Sequence, residues 1–443
     1  MTAVQNQERK VLIVSFFFPP SSSNAAMLVG KWAKYLPEFG WSPTVLTVDK
    51  ISGMKQTLPI EIDEADVVRT PYLSIFRPLE EPVHTGEDFH RAPIKNSIWR
   101  RGLRGLVYLT RPIIRSPVMK ILSLNGIDWL PKGVRKGLQI LNNERFDLIF
   151  SSFGPPVSHL IASRLNKQTK IPWVAEFQDL WARDNNRKNR QPFLFLAEQL
   201  EKWVMKRSAL LMTCSEPWTR QLEALHSKKA VTIFNGFDEE DYRGEIPLTP
   251  RFTITYTGTI IPSGQDPSPL FQAIAELKQQ EKISPGELEV RFFGGNASAI
   301  VSPLIGKYHL QEYVKIYGLV SYKDSIKRQM ETTVLLLLSW NDPMEKGVYT
   351  GKIFEYLGAR RPVLSIGLKG SVIDELLLGT GSGIVATEVS EIKEILSTWL
   401  HEFKLHGELR SYYNPKQDVI KQYTQREQTK KMAAVFNEVA ASS

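Results

Sequence analysis

The chain has 443 residues, of which 42% are apolar and 23% charged, and it carries a net charge of +9 at neutral pH. That length exceeds one ordinary core, so two domains are expected, and the composition is that of a soluble globular protein. A single cysteine, Cys214, excludes an internal disulfide; with no apolar run of bilayer length and no signal-peptide core in residues 1–9, a cytoplasmic protein is expected.

Residues 10–18 (KVLIVSFFF) form an almost wholly apolar run ending at Pro19-Pro20, the pattern of a central parallel strand buried on both faces. The small-residue loop SSSNAA leads into a helical pattern through Leu36, and Gly40 closes it. Residues 43–48 (PTVLTV) read as the next strand, which completes a right-handed βαβ unit, and 67–69 as another.

Between Asp88 and Asp128 no acidic residue occurs, while Arg91, Lys95, Arg100, Arg101, Arg104, Arg111, Arg115 and Lys120 alternate with Trp99, Tyr108 and aliphatic residues. This insertion, 91–124, fits a helix lying in an anionic membrane interface; the alternative is a solvated surface helix. It matches no nucleic-acid-binding motif, and no nucleic acid is expected as a partner. Strands are expected at 146–151, 173–177, 210–214 and 231–234, and Cys214 reads as a core strand residue.

A charged stretch, 238–251, with Pro247 and Pro250, reads as the joint. A second series of strands follows at 252–258, 289–293, 314–317, 334–338, 363–366 and 383–385. From Pro415 on, a polar helical pattern gathers Val419, Ile420, Tyr423, Met432, Ala433 and Val435 on one side. The expected architecture is α/β. It comprises a Rossmann-like domain over 1–240 and a second over 250–412, facing across a cleft, with a helical segment, 413–443, returning to the first.

The chemistry concentrates in 347–364, GVYTGKIFEYLGARRPVL. Loop, helix start and buried strand follow one another, the arrangement by which α/β proteins hold a phosphorylated ligand. The helix start offers N–H groups without intrahelical partners, Lys352 adds a positive charge, and Glu355 on the same face can accept hydrogen bonds from a ribose diol. The bland alternative is that Lys352 snorkels and Glu355 pairs with Arg360 or Arg361. No Cys/His cluster has metal-ligand spacing.

Several phrases in this order resemble the retaining GT-B glycosyltransferases of family four across nearly the whole chain. They are FFFPPSSSNAAMLVGKWAKYLPEFGWSPTVLT, FDLIFSSFGPPVSHLIA, WVAEFQDLW, TCSEPWTRQL, VTIFNGFD, YTGTIIPSGQDPSPLFQAI and GVYTGKIFEYLGARRPVL. The resemblance implies transfer of a sugar from a nucleotide-sugar donor to a polysaccharide, glycolipid or lipid-linked acceptor, with no metal and no other cofactor. It places the donor on Gly258, Thr259, Gln265, Val348, Tyr349, Thr350, Gly351, Lys352 and Glu355, with His159 and Asp179 as catalytic candidates.

The chain departs from the family at three places. Gly264 and Gln265 stand where a Lys-Arg pair is usual, Gly347 where an acid is usual (Glu345 lies two positions away), and Leu28 where an arginine is usual. Ser21, Ser22, Ser23, Asn24 and Ala25 replace glycines of the first loop. Asn235-Gly236 is similar to a domain-joining turn, and Trp181 reads as core. The departures sustain a second function, a GT-B protein without transfer activity serving as a binding or scaffold subunit. An epimerase would need paired acids and histidines that cannot be assembled here, and a dehydrogenase a GxGxxG after the first strand.

Overall fold

The computed structural model describes residues 9–49, 51, 54–72, 126–183, 194–262, 264–409 and 413–442. The insertion read at 91–124 lies outside them. The described residues fall into two compact units, one running to Phe234 and resumed from Thr429, the other spanning Asn235–Gln428. The division falls beside the Asn235-Gly236 turn, so the charged stretch 238–251 belongs wholly to the second unit. Residues 413–428 belong there as well, and only those from Thr429 onward return to the first.

In the first unit seven parallel strands are ordered β3-β2-β1-β4-β5-β6-β7. They are β1 (Arg9–Ser15), β2 (Trp41–Val48), β3 (Val67–Thr70), β4 (Leu148–Ser152), β5 (Trp173–Phe177), β6 (Leu210–Thr213) and β7 (Ala230–Thr232). Leu12 of β1 faces Thr44 on one side and Ile149 on the other, which puts the apolar run in the middle of the sheet. Helices α1 (Asn24–Tyr35), α2 (Leu130–Asn143), α3 (Val157–Thr169), α4 (Leu194–Met205) and α5 (Glu216–His226) connect them. Ser23 caps α1, its Oγ accepting from the Ala26 N–H at 3.1 Å, and Gly40 ends the following turn at φ 80°. The last helix of the chain, Gln425–Ala441, adds Met432, Ala433, Phe436 and Val439 to this unit's core, with Phe436 packed edge-on against Trp41.

The second unit has six parallel strands, ordered β10-β9-β8-β11-β12-β13. They are β8 (Phe252–Thr257), β9 (Leu288–Phe293), β10 (Val314–Ile316), β11 (Val334–Leu338), β12 (Val363–Ile366) and β13 (Gly383–Ala386). Its helices are α6 (Ser268–Gln279), α7 (Ala297–Tyr308), α8 (Tyr322–Glu331), α9 (Gly351–Ala359), α10 (Val372–Thr380), α11 (Val389–His406) and α12 (Gln417–Lys421), and the long terminal helix is α13. The core is Tyr256, Phe271, Phe292, Leu336, Leu338, Trp399 and their neighbours, all buried.

Both sheets are doubly wound α/β, with connections that leave the first strand in opposite directions. In such sheets ligands bind outside the carboxyl ends of the strands where the order reverses, here between β1 and β4 and between β8 and β11.

Candidate donor site

The reversal in the second sheet brings together Gly258-Thr259, which follow β8, and the segment between β11 and α9. Gly258 has φ 110° and leaves a space that Lys352 fills; a Cβ there would lie 2.4 Å from Lys352 Cε. The half-buried Lys352 ammonium donates to the Thr259 carbonyl at 3.3 Å and lies 5.5 Å from the centre of the Tyr256 ring. Burial lowers its pKa, and Glu355 pulls it back up.

Glu355 lies nearly one turn further along α9, and burial raises its pKa against the opposing pull of Gln329 and Lys352. Its Oε2 accepts from Gln329 Nε2 at 2.9 Å, and the same nitrogen reaches Thr257 Oγ1 at 3.1 Å. Neither Arg360 nor Arg361 is its partner in these contacts: Arg361 donates to the carbonyls of Met330 and Ile246. Beside this pair, Tyr322 donates to Asp241 Oδ2 at 3.0 Å, and both Asp241 and Tyr242 act electrostatically with Glu355.

The start of α9 is open at its polar end. Thr350 is its N-cap residue but makes no side-chain cap, and Thr350 Oγ1 is buried without a hydrogen-bond partner. Gly351 and Lys352 begin the helix, where N–H groups have no carbonyl four residues back. Val348 differs: its N–H donates to the Glu345 carbonyl at 3.0 Å. Tyr349 packs 5.5 Å from the Phe354 ring, in the loop leading to the helix.

Gln265 lies in the loop between β8 and α6. It is buried, and its Oε1 accepts from the Ile261 N–H at 2.9 Å, so the side chain is committed to its own turn. The neighbouring Gly264 presses on Trp340, and a Cβ there would stand 1.9 Å from the indole. Trp340 therefore occupies the room a side chain at 264 would need. Asn296 closes the loop from the other side, bonding both the N–H and the carbonyl of Ile260.

In the first unit some of the polar groups near the strand ends are buried. His159, a catalytic candidate from the sequence, lies in the first turn of α3 with no exposed surface. Its Nδ1 is 2.8 Å from Ser151 Oγ, its ring lies 4.9 Å from that of Phe177, and burial pulls its pKa down to about 3. In this structure it is a buried residue, neutral at pH 7. Glu176, within β5, accepts from Ser152 Oγ at 2.8 Å, and burial pushes its pKa up to about 8. Asp179 is exposed just beyond the end of β5, where an accessible carboxylate was expected. Trp181 is buried, as is Leu28, while Ser22 bonds Thr57 and Ser23 caps α1.

Sequence reasoning missed Gln329, Tyr242, Tyr322 and the orphaned hydroxyl of Thr350. One signal was available. On α8, Tyr322, Ile326, Gln329 and Met330 share a face at helical spacing, and a glutamine inside an apolar stripe marks a buried polar contact.

Residues 83–241 match the sequence model of the family described as Glycosyltransferase Family 4. No curated protein matches the sequence significantly. Among solved structures, sucrose-phosphate synthase from Thermosynechococcus elongatus is similar over 98% of this chain and 100% of its own, with a TM-score of 0.65 and 12% identity. A glycosyltransferase from Rickettsia africae is similar over 99% and 100%, with a TM-score of 0.63 and 14% identity. HepE of Anabaena, solved in complex with UDP and glucose, is similar over 97% and 99%, with a TM-score of 0.60 and 13% identity. The chain thus matches the Glycosyltransferase Family 4 model over residues 83–241 and has the GT-B fold.

Proposed function

We propose that this protein is a retaining glycosyltransferase that moves a sugar from a nucleoside-diphosphate sugar to a polysaccharide, glycolipid or lipid-linked acceptor. The observation that carries the reading is Lys352, held in the space left by Gly258 at the sheet's reversal point, with the open start of α9 beside it. A diphosphate there would meet the ammonium, the N–H groups of Gly351 and Lys352, and the unpartnered Thr350 hydroxyl. Glu355, oriented by Gln329, would accept from the ribose hydroxyls. HepE, which shares the fold, binds UDP and glucose, and this supports a nucleotide-sugar donor.

In the reaction the bond from the anomeric carbon to the diphosphate oxygen breaks, and the acceptor oxygen bonds that carbon from the same face. The acceptor proton passes to the departing phosphate. Lys352 and the helix start stabilise the leaving diphosphate in the role a divalent cation would otherwise take, so the reading assigns no metal. Asp179 is assigned to a sugar or acceptor hydroxyl. The test is a panel of nucleotide-sugars turned over in the presence of a chelator. Undiminished turnover by Lys352→Ala would show that the donor site is wrong, and loss with the chelator that the metal-free reading is.

The protein is further proposed to work at the cytoplasmic face of a membrane, with the basic insertion 91–124 meeting anionic lipid; unchanged vesicle flotation after deletion of 91–124 would refute that role. A second reading, a GT-B protein without transfer activity acting as a binding or scaffold subunit, is favoured by the burial of Gln265 and Leu28 where charged residues are usual. Calorimetry with nucleoside diphosphates and a transfer assay separate the two: no turnover of any donor, and no binding of any nucleoside diphosphate, favours the second.

A further inference from the structure

Helix α4 turns two different faces to its surroundings. Ala197, Glu201, Val204 and Met205 are buried in the first unit. The opposite side exposes Phe195, Leu196 and Trp203, by 64%, 51% and 61%. Such exposure is unusual for three large apolar side chains on one helix. Gln199, Lys202, Lys206 and Arg207 are exposed with them. At the helical turn angle, these seven positions fall in one arc of about 140°. Along that arc Lys202 and Lys206 lie on one margin and Arg207 on the other, with Trp203 and Leu196 between.

No acid enters the arc. Glu198 accepts from Arg183 Nε at 2.8 Å, and Glu201 is buried, accepting from the Ala182 N–H at 2.9 Å with His226 Nε2 at 3.0 Å. Both carboxylates are therefore hydrogen-bonded on other sides of the helix. Beyond the helix end, Lys228 Nζ donates to the Lys206 carbonyl at 3.0 Å and adds another cation.

We infer that this face of α4 is a docking surface for an anionic lipid bilayer. Phe195, Leu196 and Trp203 enter the boundary between headgroups and acyl chains. Lys202, Lys206 and Arg207 flank them and reach lipid phosphates, their methylene stems lying along the apolar layer. The charge decides the occupant: a purely apolar partner would leave three flanking cations without counter-charge, whereas an anionic membrane supplies both layers. The inference rests on this surface and on no step of the sugar transfer.

The test is co-sedimentation of the full chain with vesicles of phosphatidylcholine alone and of phosphatidylcholine mixed with phosphatidylglycerol. Binding is expected only to the anionic vesicles and weakens with salt. The triple variant Lys202→Gln/Lys206→Gln/Arg207→Gln should lose on the order of a hundredfold in affinity, at about fivefold per charge. Phe195→Ser/Trp203→Ser should lose at least about tenfold. The replaced side chains are exposed, so circular dichroism and donor affinity should be unchanged. Because the insertion 91–124 is itself proposed to meet anionic lipid, each variant is compared with its parent in the full chain and again with 91–124 deleted. Anionic-vesicle affinity unchanged by either variant in both backgrounds, equal binding to both vesicle types, or a concentration-dependent dimer abolished by Trp203→Ser would overturn the inference.

Discussion

The two doubly wound sheets both carry ionisable groups near the carboxyl ends of their strands, yet these groups sit in opposite surroundings. In the second unit, Lys352 and Glu355 occupy a half-buried corner beside a helix start, with Gly258 giving way and Thr350 Oγ1 unanswered. In the first unit, His159 and Glu176 are both buried; His159 lies against the rings of Phe153, Phe177 and Trp173, and each of the two has a serine as partner, although His159 Nε2 has none. A charged residue at a strand end is thus no sign of a site in itself. What separates the two regions is whether a ligand can approach the ionisable groups, since both regions hold a buried polar atom without a partner, Thr350 Oγ1 in one and His159 Nε2 in the other.

The largest expected effect tests that distinction directly. Lys352→Ala should lower kcat/KM by about 10²–10³-fold through the lost stabilisation of the leaving group, and should weaken the binding of the nucleoside diphosphate measured by calorimetry. Glu176→Gln should leave donor affinity unchanged. If Glu176→Gln disturbed donor binding as much as Lys352→Ala, the contrast between the regions would collapse. Gly258→Ala comes next. Its Cβ would meet Lys352 Cε at 2.4 Å, and φ 110° is strained for any side chain. The flexible lysine can swing away, so a loss of roughly tenfold in donor affinity is expected, short of the full deletion.

Gln329→Leu sharpens the comparison through pH. Donor binding needs Lys352 charged and Glu355 ionised. Burial lowers the first pKa and raises the second, so affinity should fall at high pH as Lys352 loses its proton and at low pH as Glu355 gains one. Gln329 donates to Glu355 and so favours the carboxylate. Removing it should move the acid limb of the affinity profile upward and leave the alkaline limb in place, at a cost of about 1–3 kcal/mol in binding. An unmoved acid limb would show that Glu355 does not hold the donor.

The fold was largely legible because parallel strands covered on both faces leave long apolar runs. Residues 173–177, 334–338 and 363–366 coincide with β5, β11 and β12. The strand-loop-helix context of Lys352 and Glu355 was legible for the same reason. The fate of His159 and Gln265 was not. Whether a polar side chain faces a ligand or its own backbone depends on contacts such as Ser151 with Trp173, and Gly264 with Trp340, between residues far apart in the chain. The pairing of Gln329 with Glu355 joins two helices and has no local pattern beyond a polar residue in an apolar stripe.

The smallest effect on function, though not on stability, comes from the buried groups of the first unit. His159 has its pKa lowered from 6.5 to about 3, so between these values the unfolded chain binds a proton that the folded chain refuses. Stability from this group is lost as pH falls below about 6.5. Glu176 has its pKa raised from 4.5 to about 8, so in that window the folded chain holds a proton that the unfolded chain releases. Stability from it is lost as pH rises above about 4.5, and Glu355 acts in the same direction. Between about 4.5 and 6.5 the slopes of His159 and Glu176 oppose each other, and their combined contribution is a plateau that falls away on both sides. Glu176→Gln should flatten the alkaline side, by up to a few kcal/mol at pH 8, and His159→Gln the acid side. Reading slopes from thermal unfolding against pH, instead of the height of the curve, separates these proton effects from any packing cost of the substitutions. An alkaline side that Glu176→Gln leaves as steep as before would mean that Glu176 is ionised in the folded protein, and the first unit's strand end would then carry a charge like that of the second.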